Sequence, residues 1–155
     1  MRRDIPPLVR QKAEAMGAGG LAWLAGLDDA VAALERQWRV RVGEAMEGGT
    51  HSYVAPAALS NGEVCIFKLA LPDGMGTAFS PQAAALIAAE GRGYAKLLRC
   101  DPDRRACLLE RLGRPLGSLG YSSQEQTRLI CETLQKSWVP ARNSGLQTGR
   151  SRSTA

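Results

Sequence analysis

The chain has 155 residues, 45% of them hydrophobic, with a formal net charge of +5 at pH 7 and a pI near 9.3. This length and hydrophobic content predict one globular unit with a buried core and exclude a disordered or fibrous chain. The positive charge is scattered arginine rather than one basic run, so we do not expect nucleic acid as a partner.

Cysteine and histidine positions argue against a metal site. The four cysteines form no C-x-x-C pair and His51 is the single histidine, so zinc lacks ligands at usable spacing. The basic N-terminus lacks the apolar segment of a signal peptide, and no apolar run approaches the ~18 residues of a membrane helix. We therefore expect a cytoplasmic protein with reduced thiols and no membrane partner.

Residues 1–38 are predicted to be helical. Pro6 and Pro7 open a first helix over about 8–16, which a glycine cluster ends. A second helical pattern covers 21–38, although two aspartates inside it leave open a division into two shorter helices. Its apolar positions repeat every three or four residues and are interpreted as core: Leu24, Leu27, Val31, Leu34 and Trp38.

Residues 39–71 change to the two-residue period of β-strands. Valines alternate with arginines over 39–42, and a second strand follows a glycine-containing loop. Pro56 restricts that second strand to an edge or a bulge. The dipeptide Asn61-Gly62 predicts a hairpin turn into a third strand. The segment is therefore predicted to be a three-stranded antiparallel meander.

The rest of the chain predicts a helix, two strands and a last helix. The helix covers 80–90, and the strands cover 93–101 and 106–112. The last helix covers Ser123–Trp138. The fold class is therefore α+β, with a five-stranded antiparallel sheet. We divide the chain into a helical segment (1–38), the sheet-containing unit (39–113), a helix after it (114–140) and a tail predicted to be disordered (141–155).

One charged residue interrupts the third strand. Alternation places Ile66 and Ala70 on the same face as Lys68. An unpaired ammonium among apolar neighbours is costly, so Lys68 needs an anion or a route to water. From the strand alone, the side chain either binds an anionic ligand or reaches solvent at a sheet edge. The glycine loop upstream, at Gly48 and Gly49, favours the ligand.

Four segments, together with the order of the elements, resemble a known family. They are GLAWLAGLDDAVAALERQW (20–38), GGTHSYV (48–54), FKLALP (67–72) and GRGYAKLLRCDPDRRACLLERL (91–112). A three-stranded meander, a helix and two strands make up the small lobe of the protein-kinase-like fold. Within that fold the chain resembles the aminoglycoside/hydroxyurea phosphotransferase family, in its streptomycin-kinase-like branch, from about Gly20 to about Gly149.

The resemblance implies phosphoryl transfer from ATP, with Mg²⁺ expected in a full-length relative, to a hydroxyl of an aminoglycoside such as streptomycin or of hydroxyurea. Lys68 would pair with the α- and β-phosphates. His51 is interpreted as a surface residue rather than a catalytic base. The implied phosphate loop, whose backbone N–H groups would face the phosphates, is Gly48, Gly49, Thr50, His51 and Ser52. The implied hinge, whose backbone would meet adenine, is Glu110, Arg111 and Leu112.

The chain departs from the family pattern in the helix after the third strand. Gln82 stands where kinase-like folds commonly carry glutamate, so it would orient Lys68 by a hydrogen bond without a charge. Glu90 lies ~12 Å further along the helix axis and does not replace it. We expect a weaker clamp on Lys68 and assign Gln82 no catalytic role.

A second departure concerns the acceptor half of the reaction. The family places a catalytic Asp in an H-x-D-type loop and a metal-binding Asp after it, but here the last aspartate is Asp103 and no histidine follows His51. The resemblance therefore implies a truncated nucleotide-binding half, inactive alone, that meets a small-molecule acceptor only if a large lobe is supplied. The alternative is a module that binds nucleotide or another protein without catalysis. In a full enzyme the last helix would face the large lobe with Ile130, Leu134 and Trp138.

Overall fold

A computed structural model describes residues 3–72 and 79–138. The helices are α1 (Pro7–Ala15), α2 (Ala18–Trp38), α3 (Phe79–Ala89) and α4 (Ser123–Ser137). The strands are β1 (Val40–Val42), β2 (Ser52–Leu59), β3 (Val64–Ala70), β4 (Leu97–Asp101) and β5 (Ala106–Glu110). A turn of 3-10 helix, Leu116–Ser118, precedes α4. The predicted elements are present with shifts at their ends, and the predicted tail lies outside the described residues.

The strands form one antiparallel sheet of five, in the order β1-β2-β3-β5-β4. The α+β class, the meander and the five-stranded antiparallel sheet are therefore confirmed. The turn between β2 and β3 depends on Gly62, whose φ of +86° lies in the region that favours glycine. Because β5 pairs with β3, the third strand of the chain becomes the central strand of the sheet.

Pro56 lies inside β2, which has a neighbour on each side. Its carbonyl accepts a hydrogen bond from the backbone N–H of Gly43, so its missing N–H faces the β1 side. The pairing of β1 with β2 ends at Val42 and Ala57, and Ala57 is the residue that directly follows the proline. Pro56 is therefore the first residue of β2 beyond its paired stretch with β1. This position agrees with the edge placement expected for a proline.

The core lies between α2 and one face of the sheet. α2 is a single helix of 21 residues, so the division into two shorter helices is wrong. Trp38 meets Phe67 edge-to-face with ring centroids 6.1 Å apart, and Tyr53 meets Phe67 in the same way at 6.5 Å. The predicted apolar face of α2 is confirmed as core, with Leu27, Val31, Leu34 and Trp38 buried and Leu24 partly buried against them.

α1 packs against the start of α2 through a glycine. A Cβ atom at Gly20 would lie 1.8 Å from the carbonyl oxygen of Ala13, closer than any side chain can come. Val9 and Ala13 of α1 are fully buried at this contact. Two helices thus cover one face of the sheet and act as a single layer.

α3 covers the opposite face. Its residues Phe79 and Ala83 are buried together with Cys107 of β5, and Leu109 and Ala70 pack around them. The result is three layers: α1 and α2, the sheet, and α3. The apolar cluster under α3 is smaller than the core on the other face of the sheet. Part of the sheet face that carries α3 therefore stays accessible.

α4 is attached to the rest through few contacts. Ser122 and Glu125 form a reciprocal capping box at its start. No residue of α4 is buried, and the side chains at Ile130, Leu134 and Trp138 are half or more exposed. The predicted apolar stripe therefore exists, and within the described part of the chain it faces solvent. No helix among the described residues is long and apolar enough to cross a membrane.

Gly93 is the point where α4 touches the loop before β4. Its φ is +71°, and an added Cβ would lie 2.5 Å from the Thr133 carbonyl oxygen and 2.9 Å from the Ser137 Cβ. We expect Gly93→Ala to displace α4, because two α4 atoms would have to move. Limited trypsin digestion should then cut at Arg128 and Lys136 faster than in the unchanged chain.

Gly91→Ala is the matched control. Gly91 has a similar φ of +80°, but the three atoms nearest to its added Cβ all belong to Lys96 and lie at 3.4 Å or more. Both variants carry the left-handed backbone penalty of about 1–2 kcal/mol, and only Gly93→Ala adds the contact with α4. Equal cleavage rates in the two variants would show that α4 does not depend on this contact.

Candidate functional site

Lys68 projects from the central strand toward the α3 face. Cys65, Phe67 and Leu69 of β3 are buried on the core face, whereas Lys68 is only half-buried on the other. The predicted alternation is thus correct. Because β3 is the central strand, Lys68 does not lie at a sheet edge, and that route to solvent is excluded.

Gln82 of α3 contacts this lysine. The Lys68 Nζ donates to Gln82 Oε1 at 3.0 Å. The contact exists because Phe79 and Ala83 dock α3 on Cys107, which is the residue of β5 opposite Lys68. Glu90 forms an ion pair with Arg92 instead, at 3.0 Å. That Gln82 orients Lys68 for a nucleotide stays a prediction.

A cavity of about 250 Å³ opens beside the lysine. Of the predicted site residues, the structure brings four together here: His51 from the end of the β1–β2 loop, Ser52 from the start of β2, Lys68 from β3, and Gln82 from α3. Among the described residues of the lining, Lys68 is the one lysine, arginine or carboxylate residue. Such a cavity suits an anionic group. The remaining lining residues, which the sequence reasoning did not assign, are Ala70, Leu71 and Phe79.

The sequence contained patterns that could have placed two of these unassigned residues at the site. Ala70 lies two positions after Lys68 on the same strand face. Phe79 lies three positions before Gln82, which is one helical turn. Leu71 had no such signal, because its side chain belongs to the core and its backbone joins the cavity by donating to the His51 carbonyl at 3.0 Å.

The β1–β2 loop, residues 43–51, carries the predicted phosphate loop. Gly48 has a φ of +94°, and a Cβ at Gly49 would lie 2.9 Å from the Ser52 carbonyl oxygen, so both positions favour glycine. Thr50 Oγ1 and His51 Nδ1 lie 2.8 Å apart and share a hydrogen bond. Gly48, Gly49 and Thr50 do not line the cavity, which the loop reaches only at His51, next to Ser52 of β2.

The predicted hinge lies further along β5. Glu110 ends the strand, and its backbone N–H donates to the Lys96 carbonyl at 2.9 Å while its Oε1 accepts from the Lys96 N–H at 2.8 Å. Arg111 and Leu112 follow it and are exposed. Cys107, opposite Lys68, is three residues earlier, so the hinge lies about 10 Å from the lysine along the sheet. The hinge residues do not line the cavity.

Cys107 forms part of the apolar layer beneath Lys68. Burial raises the pKa of this thiol to about 11, and the nearby Lys68 charge offsets only part of that effect. Cys100 lies opposite Cys107 on β4, and burial raises the pKa of that thiol as well. Both groups are therefore protonated at neutral pH. They supply apolar packing rather than a nucleophile.

This packing predicts slow alkylation of Cys107. With a pKa of about 11, about one thiol in a thousand is ionised at pH 8. We expect iodoacetamide to modify Cys107 at least about 100-fold more slowly than the exposed Cys131, as measured by peptide mass spectrometry over time. Phe79→Ala should speed the reaction at Cys107 but not at Cys65, which is buried on the other face of the sheet. Equal rates at Cys107 and Cys131 would contradict the packing.

Comparison with known proteins gives two related enzymes. The chain is 34% identical over 110 residues to streptomycin 6-kinase of Streptomyces glaucescens, covering 70% of this chain and 35% of the relative. It is 38% identical over 106 residues to hydroxyurea phosphotransferase of Kitasatospora aureofaciens, covering 66% of this chain and 30% of the relative. No family model matches the chain, and no solved structure matches it significantly.

The chain spans about a third of the length of these two relatives. Both matches extend over roughly two thirds of its own residues. Both relatives are named for phosphoryl transfer to a small molecule. Over the matched residues, the chain belongs to the aminoglycoside/hydroxyurea phosphotransferase family.

Proposed function

We propose that this chain provides the nucleotide-binding part of an ATP-dependent small-molecule O-phosphotransferase, with the fold of a kinase-like small lobe. The observation that carries the proposal is Lys68, held 3.0 Å from Gln82 on the central strand and facing a cavity that the end of a glycine-containing loop also lines. The order of strands and helix, together with the two related phosphotransferases, supports it.

The proposed role of Lys68 is electrostatic. Phosphate oxygens entering the cavity would replace water around the ammonium and meet a positive charge that no described carboxylate already neutralises. Gln82 accepts one hydrogen bond from Nζ and adds no charge, so two of the three ammonium protons and the full charge remain for the ligand. A phosphate held this way gains charge-assisted hydrogen bonds, which are stronger than neutral ones.

The loop and the hinge have separate proposed tasks. Backbone N–H groups of residues 48–52 would approach the phosphates where glycine leaves room for them. Backbone groups of residues 110–112 would meet adenine about 10 Å away, a separation along β5 that leaves space for a ribose between the two ends. The nucleotide would then lie along the face of the sheet that carries Lys68.

Magnesium would enter with the nucleotide. Within residues 3–72 and 79–138, no three His, Cys, Asp or Glu side chains come together in a way that could hold a metal ion. We therefore propose no protein ligand for Mg²⁺ in this part of the chain. When bound, Mg²⁺ would supply positive charge that neutralises the negative charge developing during transfer.

The proposed acceptor is a hydroxyl group of a small molecule such as streptomycin or hydroxyurea, after the names of the two relatives. In the reaction the γ-phosphoryl group leaves ATP, ADP departs, and the acceptor oxygen loses its proton. An aspartate usually receives or orients that proton. Asp103 does not suit this task, because it lies in the turn between β4 and β5 and does not line the cavity. We assign acceptor activation to no described residue.

A second candidate is a module that binds nucleotide or another protein without phosphoryl transfer. The exposed apolar stripe of α4 favours it, because Ile130, Leu134 and Trp138 present 50% or more of their surface to solvent.

Incubation of the chain with radiolabelled ATP and streptomycin or hydroxyurea separates the candidates. A labelled acceptor supports the enzyme, whereas nucleotide binding without transfer supports the module.

The test of nucleotide binding is Lys68→Met, which keeps the length of the side chain and removes its charge. We expect the dissociation constant for ATP, measured by isothermal titration calorimetry, to rise about 10- to 100-fold, since a charge-assisted hydrogen bond is lost. Gln82→Ala should raise it less, by about 3- to 10-fold, because it frees the lysine without removing its charge.

Lys12→Met is the matched control, since Lys12 is exposed on α1, in the helical layer on the other face of the sheet. It should bind ATP as the unchanged chain does. The proposal fails if ATP does not bind to the unchanged chain, or if Lys68→Met and Lys12→Met bind it equally well.

A further inference from the structure

Arg3 lies on the face of the sheet opposite Lys68 and joins four elements. Its backbone N–H donates to Asp28 Oδ1 at 3.0 Å, which ties the segment before α1 to the middle of α2. Its guanidinium then reaches across to the end of β1. This explains one of the aspartates inside α2, because the carboxylate of Asp28 anchors the chain that carries Arg3.

The guanidinium holds the point where β1 becomes the β1–β2 loop. Its Nη1 donates to the carbonyls of Val42 and Gly43, at 3.1 and 3.2 Å. Its Nη2 lies 3.2 Å from Glu35 Oε1, and that same oxygen accepts from the Val42 N–H at 2.7 Å. The backbone N–H and C=O of Val42 are therefore both bound to one ion pair.

Arg3 also reaches the start of β2. The Tyr53 side chain is fully buried, and burial raises the pKa of its hydroxyl, while a hydrogen bond and the positive charge from Arg3 oppose that rise. Tyr53 in turn packs on Phe67, the neighbour of Lys68 in β3. One side chain thus connects both strands that flank the loop.

The space behind the loop makes these polar contacts important. A cavity of about 640 Å³ lies between the segment around Arg3 and the loop residues Gly43, Glu44, Ala45 and Glu47. Ala45 packs against the core, and the other three loop residues in this lining are exposed, so packing supports this part of the loop only at one side chain. The first half of the loop has only two other backbone bonds to β2, from Gly43 to Pro56 at 2.8 Å and from Met46 to Val54 at 2.7 Å. Arg3, paired with Glu35, supplies a polar connection from this part of the chain to the helical layer, beside the packing of Ala45.

We propose that Arg3 is a positioning residue for the β1–β2 loop, and that it sets from behind the sheet the loop conformation that receives the phosphates. The second half of this statement rests on the proposed function. Arginine is suited to the position because its planar group donates in several fixed directions at once, here to two carbonyls and a carboxylate. A lysine at the same place could keep the charge but not all of these directions.

The test compares Arg3→Gln, Arg3→Lys and Arg10→Gln with the unchanged full chain. Arg10 is the matched control, an arginine of α1 whose side chain makes no hydrogen bond or ion pair with a described residue. Two quantities are measured: hydrogen–deuterium exchange of backbone amides without nucleotide, and the ATP dissociation constant by calorimetry. The exchange rates of Met46 and its loop neighbours are compared with those of Leu108 in the core.

In Arg3→Gln, we expect loop amides to exchange about tenfold faster while Leu108 is unchanged, and the ATP dissociation constant to rise about tenfold. Arg3→Lys should fall between this variant and the unchanged chain, and Arg10→Gln should match the unchanged chain. A merely structural role would instead speed exchange in loop and core together, and that result would overturn the proposal.

Unchanged loop exchange in both Arg3 variants would also overturn it. If Arg3→Gln does not fold, Arg3→Lys decides, because it keeps the charge opposite Glu35. If loop exchange rises but ATP affinity does not change, the loop is positioned by Arg3 without consequence for the ligand, and the proposal is wrong in its second half. If the unchanged chain does not bind ATP, the proposed function fails, while exchange without nucleotide still decides whether Arg3 positions the loop.

Discussion

Phe67 packs edge-to-face against Trp38 and Tyr53 on one side of the central strand, and this contact decides which way Lys68 points. Successive residues of a strand project to opposite faces, so burying Phe67 under α2 necessarily turns Lys68 away from the core. A register shift of one residue would exchange the two and place an ammonium in the core. The packing of Phe67 against Trp38 and Tyr53 therefore fixes the side chain of Lys68 on the face of the sheet opposite the core.

The two layers around the sheet contribute differently to the candidate site. On the face that carries Lys68, a small apolar cluster around Cys107 docks α3 on the sheet. This docking brings Gln82 to Lys68 and leaves a cavity beside them. Behind the sheet, α1, α2 and the segment before them hold the loop through polar contacts of Arg3 and Glu35. The helical layer thus does more than cover apolar surface, because it also carries the groups that contact the beginning of the loop.

The neutral partner of Lys68 distinguishes this chain from the usual kinase-like pattern. A glutamate would form an ion pair with the ammonium and neutralise part of its charge before a ligand arrives. Gln82 accepts one hydrogen bond from the ammonium and adds no charge of its own. The two related enzymes are named for different small molecules, streptomycin and hydroxyurea, and this difference supports the proposed nucleotide-binding role for the part that they share with this chain.

Much of the fold and part of the site could be predicted from local patterns. The period of the apolar residues indicated each helix and strand, Asn61-Gly62 indicated the hairpin, and alternation placed Lys68 on the face opposite Phe67. These features depend on neighbours in sequence, which a linear pattern records. The expected partner of Lys68, Gln82, came from the family resemblance, and the role of both residues toward a nucleotide stays a prediction.

Contacts between distant segments depended on the tertiary structure. Only the pairing of β5 with β3 makes β3 the central strand of the sheet. It thereby excludes a route by which Lys68 would reach solvent at a sheet edge. Phe79 and Leu71 join the cavity through the docking of α3 and a backbone bond to His51, and Arg3 meets Val42 and Gly43 across 39 and 40 positions of sequence. No local pattern encodes such distances, because they are set by how whole layers pack against one another.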